Sequence, residues 1–242
     1  LNPNAWRGRM TPYQIHRARA GYCGEISFID TQIGRLMNWL QRYDRDAFRN
    51  TWFVFTSDHG DMQGDHNLWR KTYAYEGSVR IPFLVVPPRE NGTPPVPVSD
   101  RVAELRDIMP TLLELAGIPV PSHVEGVSLV PLLNDHESAF KKAVFSRNER
   151  DAIGRRKGYS FRNNTYRYTE WRNDDYDTLI ARELYDLQND PQESVNLAVD
   201  PEHEALVEEM ATILKSGWKG ALPSWVEYVP DNPVAPPAYA WG

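Results

Sequence analysis

The run Trp52-Phe53-Val54-Phe55 is apolar and β-favouring, and it stops abruptly at Ser57-Asp58-His59-Gly60. The pattern predicts a strand over 51–57 that delivers an acid and an imidazole together at its end, where α/β sheets place their chemistry. A second run, Ile81 to Val86, is unbroken and ends at Pro87. It predicts a strand buried on both faces. With the helices that flank these runs, strand and helix alternate up to about residue 135, as expected of one side of a layered α/β sheet.

The flanking segments fit that class. Thr11-Pro12 is a helix start, a capping hydroxyl followed by proline at the first helical position. Ile26, Ile29, Ile33, Leu36, Met37 and Leu40 recur at three- and four-residue spacing, so an amphipathic helix is expected over 12–43. Cys23 lies in Gly21-Tyr22-Cys23-Gly24, where the small residues predict close packing and a buried, unreactive thiol. It is the sole cysteine, which excludes an internal disulfide and thiol-rich metal sites. A turn over 44–50, a Pro-rich loop over 87–97 and a short strand over 98–102 are expected. Glu104 to Ala116 reads as a helix with Leu105, Ile108, Leu112 and Leu115 on its buried face, Pro110 inside it and Gly117 as its stop.

Beyond residue 135 the texture changes. Short aromatic segments at 143–147, 157–163, 166–171 and 183–187, separated by Asn-, Asp- and Gly-rich turns, predict a small antiparallel sheet. Asp200-Pro201 then caps a last helix with Leu206, Met210, Ile213 and Leu214 as its stripe, and a Pro-rich tail over 221–242 is expected to run extended. The predicted organisation is an α/β domain over 1–135 and a subdomain over 136–242 made of the small sheet, the helix and the tail. A net charge of −6 gives no electrostatic footprint for nucleic acid, and Arg155-Arg156-Lys157 reads as a solvated turn. No apolar run reaches membrane-spanning length, and the sequons at Asn91 and Asn163 are too short a pattern to show secretion.

Two readings of the Asp58-His59 corner stand on spacing alone. A carboxylate and an imidazole together can hold one divalent cation; equally, Asp58 can cap a turn and His59 can be a structural histidine. Neither Asp65-His66 nor Asp135-His136 declares itself as the missing partner. Lys71 follows the loop that begins at the corner. It either binds an oxyanion as a point charge or is a solvated lysine. His66 is a proton donor or an ordinary loop histidine.

The run Thr56-Ser57-Asp58-His59-Gly60-Asp61, followed by Gly64-Asp65-His66, Leu68-Trp69, Lys71 and Arg80-Ile81-Pro82, resembles the C-terminal half of the sulfatases of the alkaline-phosphatase superfamily. Phe28-Ile29-Asp30, Gly34-Arg35-Leu36, Asp107-Ile108, Pro110-Thr111-Leu112-Leu113, Ala116-Gly117-Ile118 and Gly126-Val127-Ser128-Leu129 extend the likeness. So do Glu183-Leu184-Tyr185-Asp186-Leu187, Asp190-Pro191 and Asn196-Leu197, and within the family the chain looks closest to iduronate-2-sulfatase and its bacterial relatives. The resemblance implies the C-terminal part of an alkaline-phosphatase-like layered α/β domain plus a small antiparallel-sheet subdomain.

By the same resemblance, Asp58 and His59 are metal ligands, for Ca²⁺ or alternatively Mg²⁺ or Mn²⁺. Lys71 contacts the sulfate and its bridging oxygen, His66 assists catalysis, and Asp61 belongs to the substrate-binding mouth. Family members use a formylglycine nucleophile made from a Cys/Ser-x-Pro-x-Arg motif, whereas Cys23 here precedes Gly24-Glu25-Ile26-Ser27. The paired aspartates, Lys-x-His and Pro-His-x-Pro of the family are also absent from these residues. The nucleophile is therefore expected on a missing N-terminal segment acting as partner, and this chain by itself is expected to be inactive. The implied substrate is a sulfated carbohydrate, and the implied compartment is periplasmic, secreted or lysosomal. A phosphodiester or phosphonate monoester hydrolase of the same superfamily and a non-catalytic binding module remain alternatives.

Overall fold

Thr11 opens the longest element of the computed structural model, which describes residues 10–71, 73–88, 97–150, 156–173 and 178–226. Its hydroxyl accepts from the Gln14 N–H at 3.3 Å while Gln14 Oε1 accepts from the Thr11 N–H at 2.8 Å. This capping box and Pro12 start helix α1 (Pro12–Tyr43) where the sequence places it. Asp44 ends α1 and caps a further short helix, α2 (Arg45–Arg49), by accepting from the Ala47 N–H. A turn was expected there, and the Asp44 side chain supplies what a helix needs instead.

By contacts the chain divides into two units, one of residues 1–71 and 80–96 and one of 72–79 and 97–242, each described here only where its residues are. In the first unit, β1 (Phe53–Thr56) pairs antiparallel with β2 (Phe83–Val86), with Phe53 opposite Val86 and Phe55 opposite Leu84. Phe48 of α2 is buried and meets Phe53 with ring centroids 5.9 Å apart.

Two expectations fail in this unit. The second strand is not covered on both faces, since Leu84 is 46% exposed beside Phe55 at 43%. No residue of α1 is buried, Ile26, Ile29 and Leu36 each being more than half exposed. Cys23 is exposed too, and nothing lies within 4 Å of a Cβ built on Gly21 or Gly24. The apolar pattern is real, but among the described residues only Met37 and Leu40 of the stripe are partly covered.

The second unit centres on a four-stranded antiparallel sheet of β3 (Val144–Arg150), β4 (Arg156–Arg162), β5 (Tyr166–Asn173) and β6 (Leu179–Asp186), in that order. Arg156-Lys157 opens β4 rather than forming a turn; Arg155 lies outside the described residues. Helix α6 (Glu204–Gly220) buries Val207, Met210 and Leu214 in one cluster with Tyr159, Phe161, Tyr168 and Leu184 of the sheet. Asp200 caps the 3₁₀ turn that leads into it by accepting from the Glu202 N–H. Most of the tail, 227–242, lies outside the described residues. Mixed α/β architecture thus stands as expected. No described helix is long and apolar enough to cross a membrane.

Polar contacts tie the remaining segments of this unit together. The 98–102 segment is not a strand. A 3₁₀ turn, Leu105–Asp107, leads into α4 (Ile108–Leu115), which ends with Gly117 at φ 68°. Its expected apolar face is half out, Leu105 and Leu112 being exposed, while Asp107 and Thr111 are buried at 0% and 2%. Hydrogen bonds reverse the expectation. Asp107 Oδ1 accepts from Lys141 Nζ at 2.5 Å and from the Val127 N–H at 2.8 Å, and Oδ2 accepts from the Glu104 N–H. Thr111 Oγ1 accepts from the Leu129 N–H at 2.9 Å, just before α5 (Val130–Asn134). Gly126 fits beneath, where an added Cβ would lie 1.9 Å from the Arg106 carbonyl oxygen.

A second buried ionic group fixes α3 (Glu76–Val79) to the sheet. Arg167, 1% exposed, donates through Nε to Glu193 Oε1 at 2.5 Å and through Nη2 to Glu76 Oε1, which also accepts from Arg162. Glu193 Oε2 accepts from the Glu76 N–H at 2.7 Å.

Burial pushes the Asp107 carboxyl above its ordinary range, against the pull of Lys141 and two N–H donors. Removing that carboxylate leaves a buried ammonium with Glu104 alone, at 2.6 Å. Asp107→Ala is expected to cost about 3 kcal/mol, the lower end for breaking a buried ion pair. Urea unfolding followed by far-UV circular dichroism measures this; a loss below about 1 kcal/mol would show that the cluster is not holding the segment.

Candidate functional site

Beyond Thr56 the chain leaves β1, and the Ser57 hydroxyl donates to the His59 carbonyl at 2.8 Å, curling 57–59 into a tight bend. The bend presents Asp58 to solvent, with its side chain 80% exposed, and leaves His59 partly covered. His59 Nδ1 lies 2.7 Å from the Gly60 carbonyl oxygen. A carbonyl only accepts, so Nδ1 carries the hydrogen and Nε2 keeps its lone pair. The ammonium of Lys71, which only donates, contacts that same Nε2. In a neutral ring with its hydrogen directed from Nδ1 to the Gly60 carbonyl, the lone pair is on Nε2, the atom a metal would take.

Asp58 Oδ2 stands 3.4 Å from His59 Nε2. That is the separation of two donors each about 2.4 Å from one hard cation and set at a right angle to each other. The donor pair fits a divalent cation in chemistry and spacing. Among the described residues no group of three or more His, Cys, Asp and Glu side chains is placed to hold a metal. Of the two further Asp-His pairs, Asp135-His136 does local work. Asp135 accepts from the Glu137 N–H and the Ser138 hydroxyl, which hold its carboxyl below the ordinary range.

Between His59 and Lys71 the backbone is strained. Gln63, His66, Asn67 and Arg70 all have φ between 50° and 66°, and only Glu193 among the other described non-glycine residues shares that sign. Each such residue costs on the order of 1 kcal/mol or more and persists only where the surroundings over-determine it. Here they do. The Met62 N–H donates to the Arg70 carbonyl at 2.7 Å and the Gly64 N–H to the Leu68 carbonyl at 2.8 Å, closing the loop like a hairpin. Asp61 Oδ1 accepts from the Gln63 N–H, from Gln63 Nε2 and from the Arg70 N–H. Hydrogen bonds to an ionised carboxylate are worth about 1.5–3 kcal/mol each, the scale the strain requires. Gly64, at φ 94°, has the Trp69 ring 3.2 Å from where a Cβ would stand.

Asp58, His59 and Lys71 are thus brought together, and Asp61 holds the residue before Lys71. His66 sits at the loop's tip, in the 3₁₀ turn Asp65–Asn67, at φ 52°. One contributor escaped the sequence reading. Arg19 of α1 donates through Nε to the Gln63 carbonyl at 2.7 Å and through Nη2 to Asp65 at 3.2 Å. A contact across more than forty residues leaves no local signal.

Comparison with known proteins adds to this geometry. The family profile described as N-sulphoglucosamine sulphohydrolase, C-terminal, matches residues 64–219, and the profile described as Sulfatase matches residues 3–118. An arylsulfatase of Clostridium perfringens is 37% identical over 219 residues, covering 87% of this chain and 42% of its own length. This chain therefore spans well under half of that relative. A solved sulfatase candidate from Bacteroides thetaiotaomicron superposes with a TM-score of 0.75 at 26% identity, covering 88% of this chain and 45% of the other. The phosphonate monoester hydrolase of Agrobacterium radiobacter superposes with a TM-score of 0.70 at 28% identity, covering 85% and 42%.

Arg19→Ala removes the tie between α1 and the loop. Because the ion pair with Asp65 is half exposed, the effect is local: amide exchange over 61–70 is expected to accelerate about fivefold, the equivalent of about 1 kcal/mol for an exposed pair. Hydrogen-exchange mass spectrometry of this chain reads it, and unchanged protection would show the loop to be closed without α1.

Proposed function

Since the chain belongs to the sulfatase family, we propose that it forms part of a metal-dependent sulfuric ester hydrolase acting on a carbohydrate sulfate. The convergence of Asp58 Oδ2, His59 Nε2 and Lys71 Nζ at the end of β1 carries this reading. In it Asp58 and His59 supply two ligands to a divalent cation, calcium before magnesium or manganese because the exposed carboxylate suits a hard ion of flexible coordination. The cation, when bound, neutralises sulfate oxygens, and the formylglycine on a segment outside this chain supplies the nucleophile.

The chain's own residues then have distinct tasks. Asp58 and His59 would hold the cation, and Lys71 beside them would direct its ammonium to the sulfate and the bridging oxygen, where negative charge grows as the S–O bond breaks. His66 is the proposed proton donor to that leaving oxygen. The net change converts a sulfate ester and water into an alcohol, sulfate and a proton. Support for a sugar substrate comes from the match to the profile described as N-sulphoglucosamine sulphohydrolase, C-terminal. A partner segment bearing the nucleophile is supported by the uncovered stripe of α1, since an apolar face of that length marks an interaction surface.

One observation favours a second reading, a phosphonate or phosphodiester hydrolase: the likeness to the Agrobacterium enzyme is nearly as strong as to the sulfatase candidate. Parallel assays of sulfate and phosphonate monoesters with the complete enzyme separate the two. In that enzyme Lys71→Ala is expected to lower kcat on the preferred ester by about 10²–10³-fold, the cost of losing one oxyanion donor. Turnover equal to that of the unmodified enzyme would remove Lys71 from the mechanism.

A further inference from the structure

The loop between His59 and Lys71 is held by one side chain at its base. Asp61 Oδ1 accepts the N–H of Gln63 at 2.9 Å and the N–H of Arg70 at 3.2 Å. These two donors belong to two of the residues held at positive φ, 50° and 66°, one at each end of the loop. Gln63 Nε2 adds a third bond to the same oxygen at 2.7 Å. The Met62 N–H takes the Arg70 carbonyl at 2.7 Å, so both backbone polar groups of Arg70 are bound to residues 61 and 62.

Lys71 follows Arg70 directly, and one trans peptide sets their Cα atoms about 3.8 Å apart. At the other end, His59 precedes Asp61 by two residues, and its Nε2 meets the Lys71 ammonium. Asp61 therefore sits at the neck of a closed ring that runs from His59 through the loop to Lys71 and back. A carboxylate engaged in this way acts on the backbone that carries the lysine.

We propose that Asp61 is a positioning residue for Lys71, holding the strained backbone at Gln63 and Arg70 so that the ammonium is preset beside the Asp58-His59 corner. The proposal rests on the hydrolase reading for what Lys71 does. It replaces direct substrate contact by Asp61 with action through the loop. Misplacing a charge by about 1 Å costs on the order of 10²-fold in rate. The loss concentrates on substrates with poor leaving groups, because those depend most on a cation at the bridging oxygen.

The test is a double-mutant cycle in the complete enzyme, using an aryl sulfate with a good leaving group and a sugar sulfate with a poor one. Asp61→Ala is expected to lower kcat on the sugar sulfate by about 10²-fold and on the aryl sulfate by much less, with KM little changed. Asp61→Asn keeps an acceptor oxygen and should restore most of that turnover. In a Lys71→Ala background, Asp61→Ala should cost less than about threefold more. If Lys71→Ala lowers turnover but Asp61→Ala multiplies its full loss on top, or raises KM at constant kcat, Asp61 contacts substrate and the positioning role is overturned. If Lys71→Ala changes nothing, the lysine role and the positioning role fall together.

Hydrogen exchange on the present chain keeps the test open should Asp61→Ala destabilise the enzyme. In this chain Asp61→Ala should speed exchange of the Arg70 and Gln63 amides by about tenfold and Asp61→Asn by much less, while the α6 amides keep their protection. No change at those two amides would overturn the proposal.

Discussion

A guanidinium with almost no access to water has to be matched on every side, and Arg167 shows how much of the second unit that requirement organises. Its partners lie on either side of it in the sequence: Glu193 follows the sheet, whereas Glu76 lies in α3, far upstream. Burial pushes the Glu193 carboxyl up while Arg167 pulls it down. Removing either acid would leave a charge with nowhere to go. The same logic recurs at Lys141 between Glu104 and Asp107. Both groups replace apolar contact with directional bonds, so the segments they join have one register. That is a way for 73–79 and 97–134, which form no sheet, to be fixed in place.

The site rests on a different economy. Its Asp58-His59 pair hangs from the end of a short strand, and its lysine from a loop whose backbone is held away from its relaxed conformations. Four non-glycine residues of that loop share the left-handed region. Such strain persists where neighbouring groups supply more bonds than a relaxed loop would receive, and Asp61, Met62 and Arg19 supply them. Rigid strand on one side and bonded loop on the other bring three charged or ligating groups to one point without a covering element among the described residues.

Much of the architecture is legible in the sequence. The Thr11-Pro12 start, the 3.6-residue period to Leu40 and the Asp44 stop mark α1 because caps and periodicity are local properties. Alternating aromatics and turn residues mark the four-stranded sheet for the same reason. What misled was the step from apolar pattern to burial. Cys23, Leu84, Leu105 and Leu112 are apolar yet exposed, whereas Asp107, Thr111 and Arg167 are polar yet buried. Burial depends on partners distant in sequence, and no window of residues contains them. The Asp58-His59 corner was visible as an adjacent pair at a strand end, and Lys71 became notable through the family motif. Two of the loop's φ values had no sequence signal, because Gln63 and Arg70 are not residues favoured in that region, whereas His66 and Asn67 belong to types enriched there.

The bare flank of α1 also has a calorimetric meaning. The heat-capacity change on unfolding follows apolar surface newly wetted, and a 32-residue helix without one buried residue wets little that was dry. The first unit should therefore have a flat stability curve and a shallow response to denaturant, and the curvature measured for this chain will belong to the sheet and α6, where Phe161, Tyr168 and Leu184 are sealed from water.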